Sequence, residues 1–353
     1  MLNFLEMKLN LLQMNSEERM YKEYYMAQND PERLREFLES FKDDSQEHLN
    51  LWIPELNPNP IECYNEEDCM SDSRQNISVK KHNRYMPLFK HRHAFFEMVY
   101  VLDGIAKITI NDEKVNMKTG DICIIAPEAT HTVSVFNDDS IVLNILIRKS
   151  TFKETFTSQI SEDSVLSQFF MRIFYSSDKN SYILFHTEDD DMLNHLLDYL
   201  IWEGLNPSEY STNIMDNLLK TIFCYLLKNH KDNSQVSKTL TTSSTDVITI
   251  LNYIQQNYAT ISLQSLADHF NYSTSHLSRL IKKHTGTTFA KILQDIKLKK
   301  GCSLLENSNL PIKDISDLIG YESVEYFTRI FKKTYNMTPS EYRQSKALSN
   351  ISN

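Results

Sequence analysis

Two groups of side chains in this 353-residue chain have types and spacings that can do chemistry. The first is His91, His93 and Glu97 in HRHAFFEMVYVLDG, a His-x-His-x3-Glu-x6-Gly spacing, followed by His131 in GDICIIAPEATH. Successive side chains of a strand point to opposite faces, so His91, His93, Phe95 and Glu97 share one side. His131 belongs to a later strand that can close on the same side. Such a group can hold a divalent metal, hydrogen-bond a small polar molecule, or form a buried polar network. At this level all three readings stay open. The second group is spaced i, i+3, i+4, i+7: Ser275, Ser278, Arg279 and Lys282, with Lys283 beside them. The spacing recurs at Glu325, Thr328, Arg329 and Lys332, flanked by Val324 and Lys333. On a helix these residues form one face. Hydroxyls, guanidinium and ammonium groups on one face suit base edges and phosphates.

The second group requires two similar helices, and the chain supplies a repeat. LADHFNYSTSHLSRLIKKHTGTTF and ISDLIGYESVEYFTRIFKKTYNMTP align with Arg279, Lys282 and Lys283 over Arg329, Lys332 and Lys333. Each copy reads as a short helix, a tight turn and a second helix opened by a small polar residue. Asn271 and Gly320 sit in the turns, where a positive φ is tolerated. Ser273 or Thr274 in one copy, and Ser323 in the other, can cap the second helix. Gly286 and Asn336 suit its C-terminal end. Leu277, Leu280 and Ile281, then Phe327, Ile330 and Phe331, form the faces opposite the polar ones. Any amphipathic helix has a polar face, so one copy alone decides little. Two registered copies point to two helices entering successive major grooves of one duplex.

At these residues the chain resembles the AraC/XylS family of bacterial transcription regulators. The resemblance spans residues 261–343 and includes the closing Thr338-Pro339 and Tyr342-Arg343. It implies a longer helix, about residues 289–305, joining the two recognition helices. Ile281 stands for the usual Phe, Lys297 for Arg, Gly301 for Ala and Ser316 for Ala. These read as local packing variants that remove no base-facing group. Gly301 costs its helix about 1 kcal/mol against Ala.

The first group requires strands. From residue 77 to 148 short apolar runs alternate with turn signals at Asp103-Gly104, Asn111-Asp112 and Asn137-Asp138, the pattern of a small barrel or sandwich. The histidine and glutamate spacing resembles the sequence motifs of the cupin barrel. Ala129 stands near the usual Gly, His131 is a residue early, and the trailing Asn is missing. The resemblance implies a metal at these positions in metal-binding cupins. It implies an effector site without metal in sensor cupins. We assign His91, His93, Glu97 and His131 to effector binding and expect no cofactor and no metal. The rival is an enzyme: a cupin oxygenase or isomerase carrying Fe, Mn or Zn and tethered to DNA. A third reading makes the cupin a dimerisation platform without ligand. Cys123 reads as a buried hydrophobe.

Composition bounds the rest. Hydrophobic residues are 41% and charged residues 24%, ordinary for a globular protein. The N-terminus MLNFLEMKLNLLQ is broken by Glu6 and Lys8 and makes a poor signal peptide. Five scattered cysteines complete no zinc site and read as reduced thiols in a cytoplasmic protein. The net charge is −10, but residue 245 onward carries 13 Lys and Arg against 9 Asp and Glu, a local +4. The remainder, at −14, should repel DNA and reads as a separate module. Residues 16–41 read as helical, with Asp30 capping at Pro31, and 54–76 as a loop. Residues 162–230 read as helical, with stripes at Leu193, Leu196, Leu197, Leu200 and at Leu218, Leu219, Ile222, Leu226 that need cover, from the barrel, from a second chain as the family resemblance implies, or from both. The expected fold is α+β and multidomain. An N-terminal helical extension and loop (1–76) leads to a cupin-like barrel (77–160) and a helical dimerisation region (161–230). A linker (231–244) then leads to an all-α tandem helix-turn-helix domain (245–348). The expected partners are double-stranded DNA, a small-molecule effector for which a carbohydrate is one candidate, a second copy of the chain, and RNA polymerase if the protein activates. No membrane is expected.

Overall fold

The computed structural model describes residues 4–41, 52–58, 62–70, 75–152, 182–187, 190–236 and 245–351. They fall into two compact units, one ending at Val236 and the other starting at Thr245. The first is β-rich with flanking helices and the second is helical, so the chain is α+β.

The first unit opens with α1 (Phe4–Leu12), α2 (Ser16–Ala27) and α3 (Pro31–Glu39). Asn15 and Glu18 form a capping box on α2, and Asp30 caps α3 with Pro31 in its first turn. Glu18 is fully buried. Its carboxylate accepts from Arg84 Nε at 2.9 Å and Lys81 Nζ at 2.7 Å, tying α2 to the barrel. Burial would raise this carboxyl, but the Arg84 and Lys81 bonds outweigh it and hold it below the usual range. Then come β1 (Cys63–Tyr64) and α4 (Glu66–Cys69), in the stretch expected to be loop. Arg148 bonds Glu66 at 2.9 Å and pins α4 in place.

The barrel strands are β2 (Ile77–Lys81), β3 (Arg92–His93), β4 (Phe96–Asp103), β5 (Ile105–Ile110), β6 (Glu113–Lys118), β7 (Ile122–Ile125), β8 (His131–Ser134), β9 (Ile141–Ile147), β10 (Tyr182–Phe185) and β11 (Ser234–Val236). One sheet has the order β11-β10-β7-β4-β9-β2, another β6-β5-β8, and β1 pairs with β3. The turn between β5 and β6 holds Asn111 and Asp112 at φ 47° and 69°, as a two-residue hairpin demands. Between the sheets lie Val99, Val101, Ile108, Ile125, Val133, Val142 and Leu184. The opposite parity of β4 (Phe96, Met98, Tyr100, Leu102) faces outward into a second apolar layer. Both faces of β4 are thus buried, which explains its nearly unbroken apolar run.

That second layer is closed by α5 (Asp191–Leu205) and α6 (Ser211–Asn229). Leu193, Leu197 and Leu200, with Leu219, Ile222 and Leu226, pack there against the barrel. Leu196 and Leu218 lie partly buried beside them. Of the two covers these stripes allow, the barrel and a second chain, the barrel is the one they are packed against here. Two expectations are corrected. Tyr182–Phe185, inside the expected helical region, is a strand paired with β7, and Ser234–Val236, inside the expected linker, pairs with β10. Both are short, and the pairing comes from distant segments. The expected helix over residues 162–181 and the linker residues 237–244 lie outside the described residues.

The second unit is α7 (Thr245–Gln256), α8 (Leu263–His269), α9 (Thr274–Thr285), α10 (Phe289–Asn307), α11 (Ile312–Leu318), α12 (Val324–Tyr335) and α13 (Pro339–Ile351). Its second half is centred on Leu298, Cys302, Leu305, Ile315, Ile319, Phe327 and Phe331. Gly301 lets α10 approach closely, for a Cβ there would stand 3.2 Å from Ile319 and 3.4 Å from Phe327. Among the described residues no helix is long and apolar enough to cross a membrane.

Candidate nucleic-acid interface and buried polar cluster

The two helix-turn-helix units are built alike. α8 turns into α9 at Asn271 (φ 55°), and α11 into α12 at Gly320 (φ 77°). Ser273 accepts from the His276 N–H at 3.2 Å, and Ser323 from the Tyr326 N–H at 3.1 Å. The helices end in left-handed residues, Gly286 (φ 69°) and Asn336 (φ 59°). Leu277 and Ile281, like Phe327 and Phe331, are buried. This anchors each helix and turns Ser275, Arg279, Lys282 and Lys283 outward in α9, and Glu325, Arg329, Lys332 and Lys333 in α12. Ser278, Val324 and Thr328 are half-buried at the edges of these faces. α10, at 19 residues, is a rod of about 28 Å. That length is close to one turn of B-DNA, about 34 Å. The variant residues act locally. Lys297 donates to the Gly320 carbonyl and stands 5.3 Å over the Tyr321 ring. Ile281 is fully packed, and the buried Ser316 hydroxyl has no hydrogen-bond partner among the described residues.

In the barrel, strand parity places Glu97 on the same side as the interior Val99 and Val101, with His93 and His131 buried beside it. Glu97 Oε2 lies 3.0 Å from His93 Nε2 and 2.9 Å from His131 Nε2. The His91 ring is 4.3 Å from that of His131. All four expected residues therefore meet. Each imidazole has its other nitrogen on a backbone carbonyl: His91 Nδ1 to Phe89 (3.2 Å), His93 Nδ1 to Phe95 (2.7 Å) and His131 Nδ1 to Ala129 (3.0 Å). A carbonyl only accepts, so each Nδ1 carries a hydrogen, and in a neutral ring Nε2 is then a bare lone pair. Where His93 and His131 carry a second hydrogen, their Nε2–H groups donate to Glu97 Oε2; in the neutral rings those positions are lone pairs that converge with the carboxylate. Burial would raise the Glu97 carboxyl, but the bonds from His131 and His93 hold it well below its usual range. Burial, then the neighbouring His131, pushes His91 down to about 3.

That donor set fits a divalent cation. Ligand atoms of His91, Glu97 and His131 lie within 4.8 Å of one another, and the Nδ1 bonds orient the rings as carbonyls orient metal-binding histidines. A bound ion would supply Lewis-acid polarisation of a coordinated group.

Residues that the sequence pattern did not flag cover this cluster. Phe89 stacks on His91 at 5.0 Å, Trp52 on Phe89 at 4.4 Å, and Tyr64 meets His91 edge-on at 6.0 Å. Phe89 shares the parity of His91 and was findable. Tyr64 arrives from the segment read as a loop, and Trp52 from just before it. A pocket of about 400 Å³ opens beside the stack, lined by Trp52, Asn57, Glu62, Phe89 and Lys90 among others. His82 is buried nearby with its Nε2 unpaired among the described residues.

Residues 266–345 match the helix-turn-helix domain family of AraC/XylS type, and residues 77–146 match the cupin domain family. The chain is 26% identical over 266 residues to the uncharacterized HTH-type transcriptional regulator YfiF of Bacillus subtilis, covering 74% of this chain and 80% of that one. It is 23% identical over 268 residues to the HTH-type transcriptional activator RhaR of Mannheimia succiniciproducens, covering 76% of this chain and 91% of that one. It is 33% identical over 106 residues to the multiple antibiotic resistance protein MarA of Escherichia coli, covering 29% of this chain and 84% of that one. With two helix-turn-helix units behind a cupin barrel, the chain belongs to the AraC/XylS family of DNA-binding transcription regulators.

Proposed function

We propose that α9 and α12 bind successive major grooves of one duplex and that a small molecule at the cupin unit adjusts that binding. The observation that carries it is the duplicated presentation: two exposed helix faces, each with an Arg and two Lys in register, held by one rod of suitable length. Arg279 and Arg329 read base edges. Lys282, Lys283, Lys332 and Lys333 meet phosphates, and Ser275, Ser278, Val324, Glu325 and Thr328 complete the faces. Residues 245–348 form the DNA-binding domain and residues 77–160 the core of the sensor. His91, His93, Glu97 and His131 recognise the effector, which enters by way of the aromatic stack at Trp52 and Phe89. A polyhydroxylated molecule such as a carbohydrate suits a site of imidazoles and carboxylate. The protein works in the cytoplasm as a homodimer, without catalysis. As an activator, the role in the printed name of RhaR, it also engages RNA polymerase.

Affinity for a duplex enriched from a random-sequence pool, measured across a salt series, tests this. Arg279→Ala and Arg329→Ala each lose about 1–3 kcal/mol on that duplex. Lys282→Ala or Lys333→Ala weakens binding to every duplex and lowers the salt slope by about 1. Unchanged affinity in both arginine variants sinks the reading.

A second reading rests on the converging Nε2 atoms: a metal-dependent cupin enzyme attached to a DNA-binding domain. It requires Fe, Mn or Zn at one equivalent in the purified protein. Metal analysis separates it from the first.

A further inference from the structure

We infer that Tyr326 is a positioning residue for Arg329, holding its guanidinium in place on the recognition face before DNA arrives; the inference rests on the assignment of Arg329 to base contact. Tyr326 and Arg329 are three residues apart on α12 and therefore neighbours on its surface. The guanidinium carbon stands 5.2 Å from the centre of the Tyr326 ring, within cation–π range. Tyr326 is 46% exposed, so the core does not account for a large ring at this position.

The ring is itself held. Ser323 caps the Tyr326 N–H at 3.1 Å, and the Tyr321 ring lies 5.9 Å away. Tyr321 packs on Phe327 at 5.4 Å, under the Lys297 ammonium that also bonds the Gly320 carbonyl. A continuous set of contacts thus runs from α10 through Tyr321 and Tyr326 to Arg329. An arginine on an open helix face samples many rotamers, and ordering it on a base pair loses that freedom. Holding the guanidinium beforehand reduces the loss. The first unit solves the problem differently. Arg279 donates from Nε to the Ser275 carbonyl at 3.3 Å, and the aromatic matching Tyr326, His276, packs on Tyr272 at 5.0 Å. Aromatic support of the reading arginine is therefore assigned to the second unit.

The test uses the full chain and two probes, the most enriched duplex from a random-sequence pool and a scrambled duplex of equal length. The quantity read is the ratio of the two affinities. Tyr326→Ala is expected to lower this ratio about 2- to 5-fold, with scrambled-duplex affinity unchanged. Tyr326→Leu, which keeps bulk without a π face, should lose as much, and Tyr326→Phe should keep the ratio. In an Arg329→Ala background, Tyr326→Ala should cost nothing further, and both single variants should flatten selection at the same base positions. Multiplying losses in the double variant, equal weakening on both duplexes, or a Tyr326→Phe loss as deep as that of Tyr326→Ala overturns the inference while leaving Arg329 as a reader. An Arg329→Ala protein with an undiminished ratio overturns the assignment of Arg329, and the inference with it.

Discussion

Glu97 is the carboxylate on which the barrel's buried histidines converge. Two imidazoles touch it, and a third stands beside them. Glu97→Gln or His93→Ala should abolish the effector response while leaving basal DNA affinity within a few-fold, because the residues proposed to contact bases belong to the other unit. A reporter assay paired with gel shifts of the same proteins reads the two effects separately. An intact response would move the effector site away from the cluster, with the pocket at Trp52 and Lys90 as the next place to probe. His82 carries a pH prediction. Burial pushes its imidazole down to about 4, against 6.5 when free. The folded state therefore disfavours the protonated ring, so stability is intact above about pH 6.5 and is lost as pH falls towards 4. The full depression corresponds to about 3 kcal/mol. Chemical denaturation at pH 7.5 and pH 5 should show the loss in the wild type and a shallower one in His82→Gln. Equal slopes in the two proteins would exclude His82 as the source.

The turns show how one element sets the geometry of the next. Gly320 and Gly286 both sit at positive φ, yet a Cβ on Gly320 would lie 1.8 Å from the Ala259 carbonyl oxygen, while one on Gly286 meets nothing within 4 Å. Gly320→Ala should therefore cost at least about 2 kcal/mol, through strain and a displaced backbone, and Gly286→Ala about 1 kcal/mol through strain alone. Thermal unfolding of the two variants checks the order; equal melting temperatures would mean that the contact with Ala259 is not tight. The same scale explains α5 and α6. An apolar stripe in a sequence states that a helix must be covered, not by what. Here the outer face of the sheet covers both helices, with Asp190 bonding the Tyr225 hydroxyl at 3.1 Å and His230 Nε2 at 2.9 Å to lock their ends.

At the scale of the molecule, the question is how two copies meet. The stripes of α5 and α6 are used within one chain, so the proposed homodimer needs another surface. Leu5, Leu9 and Leu12 on α1, with Met192 and Tyr199 on α5, are exposed large hydrophobics, and Phe4 and Tyr199 join the two helices edge-to-face at 5.0 Å. The expected outcome is a dimer of the full chain in sedimentation at micromolar concentration, shifted to monomer by Leu5→Lys with Leu9→Lys. A fragment from Thr245 to the C-terminus should stay monomeric and bind DNA weakly. A full chain that sediments as a monomer would remove the dimer from the proposed function.

The helix-turn-helix units were legible from the sequence because their signals are local. Caps, left-handed residues and a 3.6-residue polar face are properties of a few neighbouring residues, and Ser273, Ser323, Gly286 and Asn336 all sit where such signals place them. The spacing that gathers His91, His93 and Glu97 is likewise local, although the structure divides it between β3 and β4 with a bend at residues 94–95. What depends on distant partners was not legible. β10 and β11 are short runs; β10 pairs with β7, sixty residues upstream, and β11 with β10, and no periodicity over so few residues separates a strand from a helix or a linker. The cover over the histidines comes from Trp52 and Tyr64, which no spacing connects to them. The direction of the α5 and α6 stripes and the tight seat of Gly320 on Ala259 were decided by tertiary structure alone. Each depends on which surface lies within a few ångströms, and proximity between distant segments is not encoded in the order of neighbouring residues.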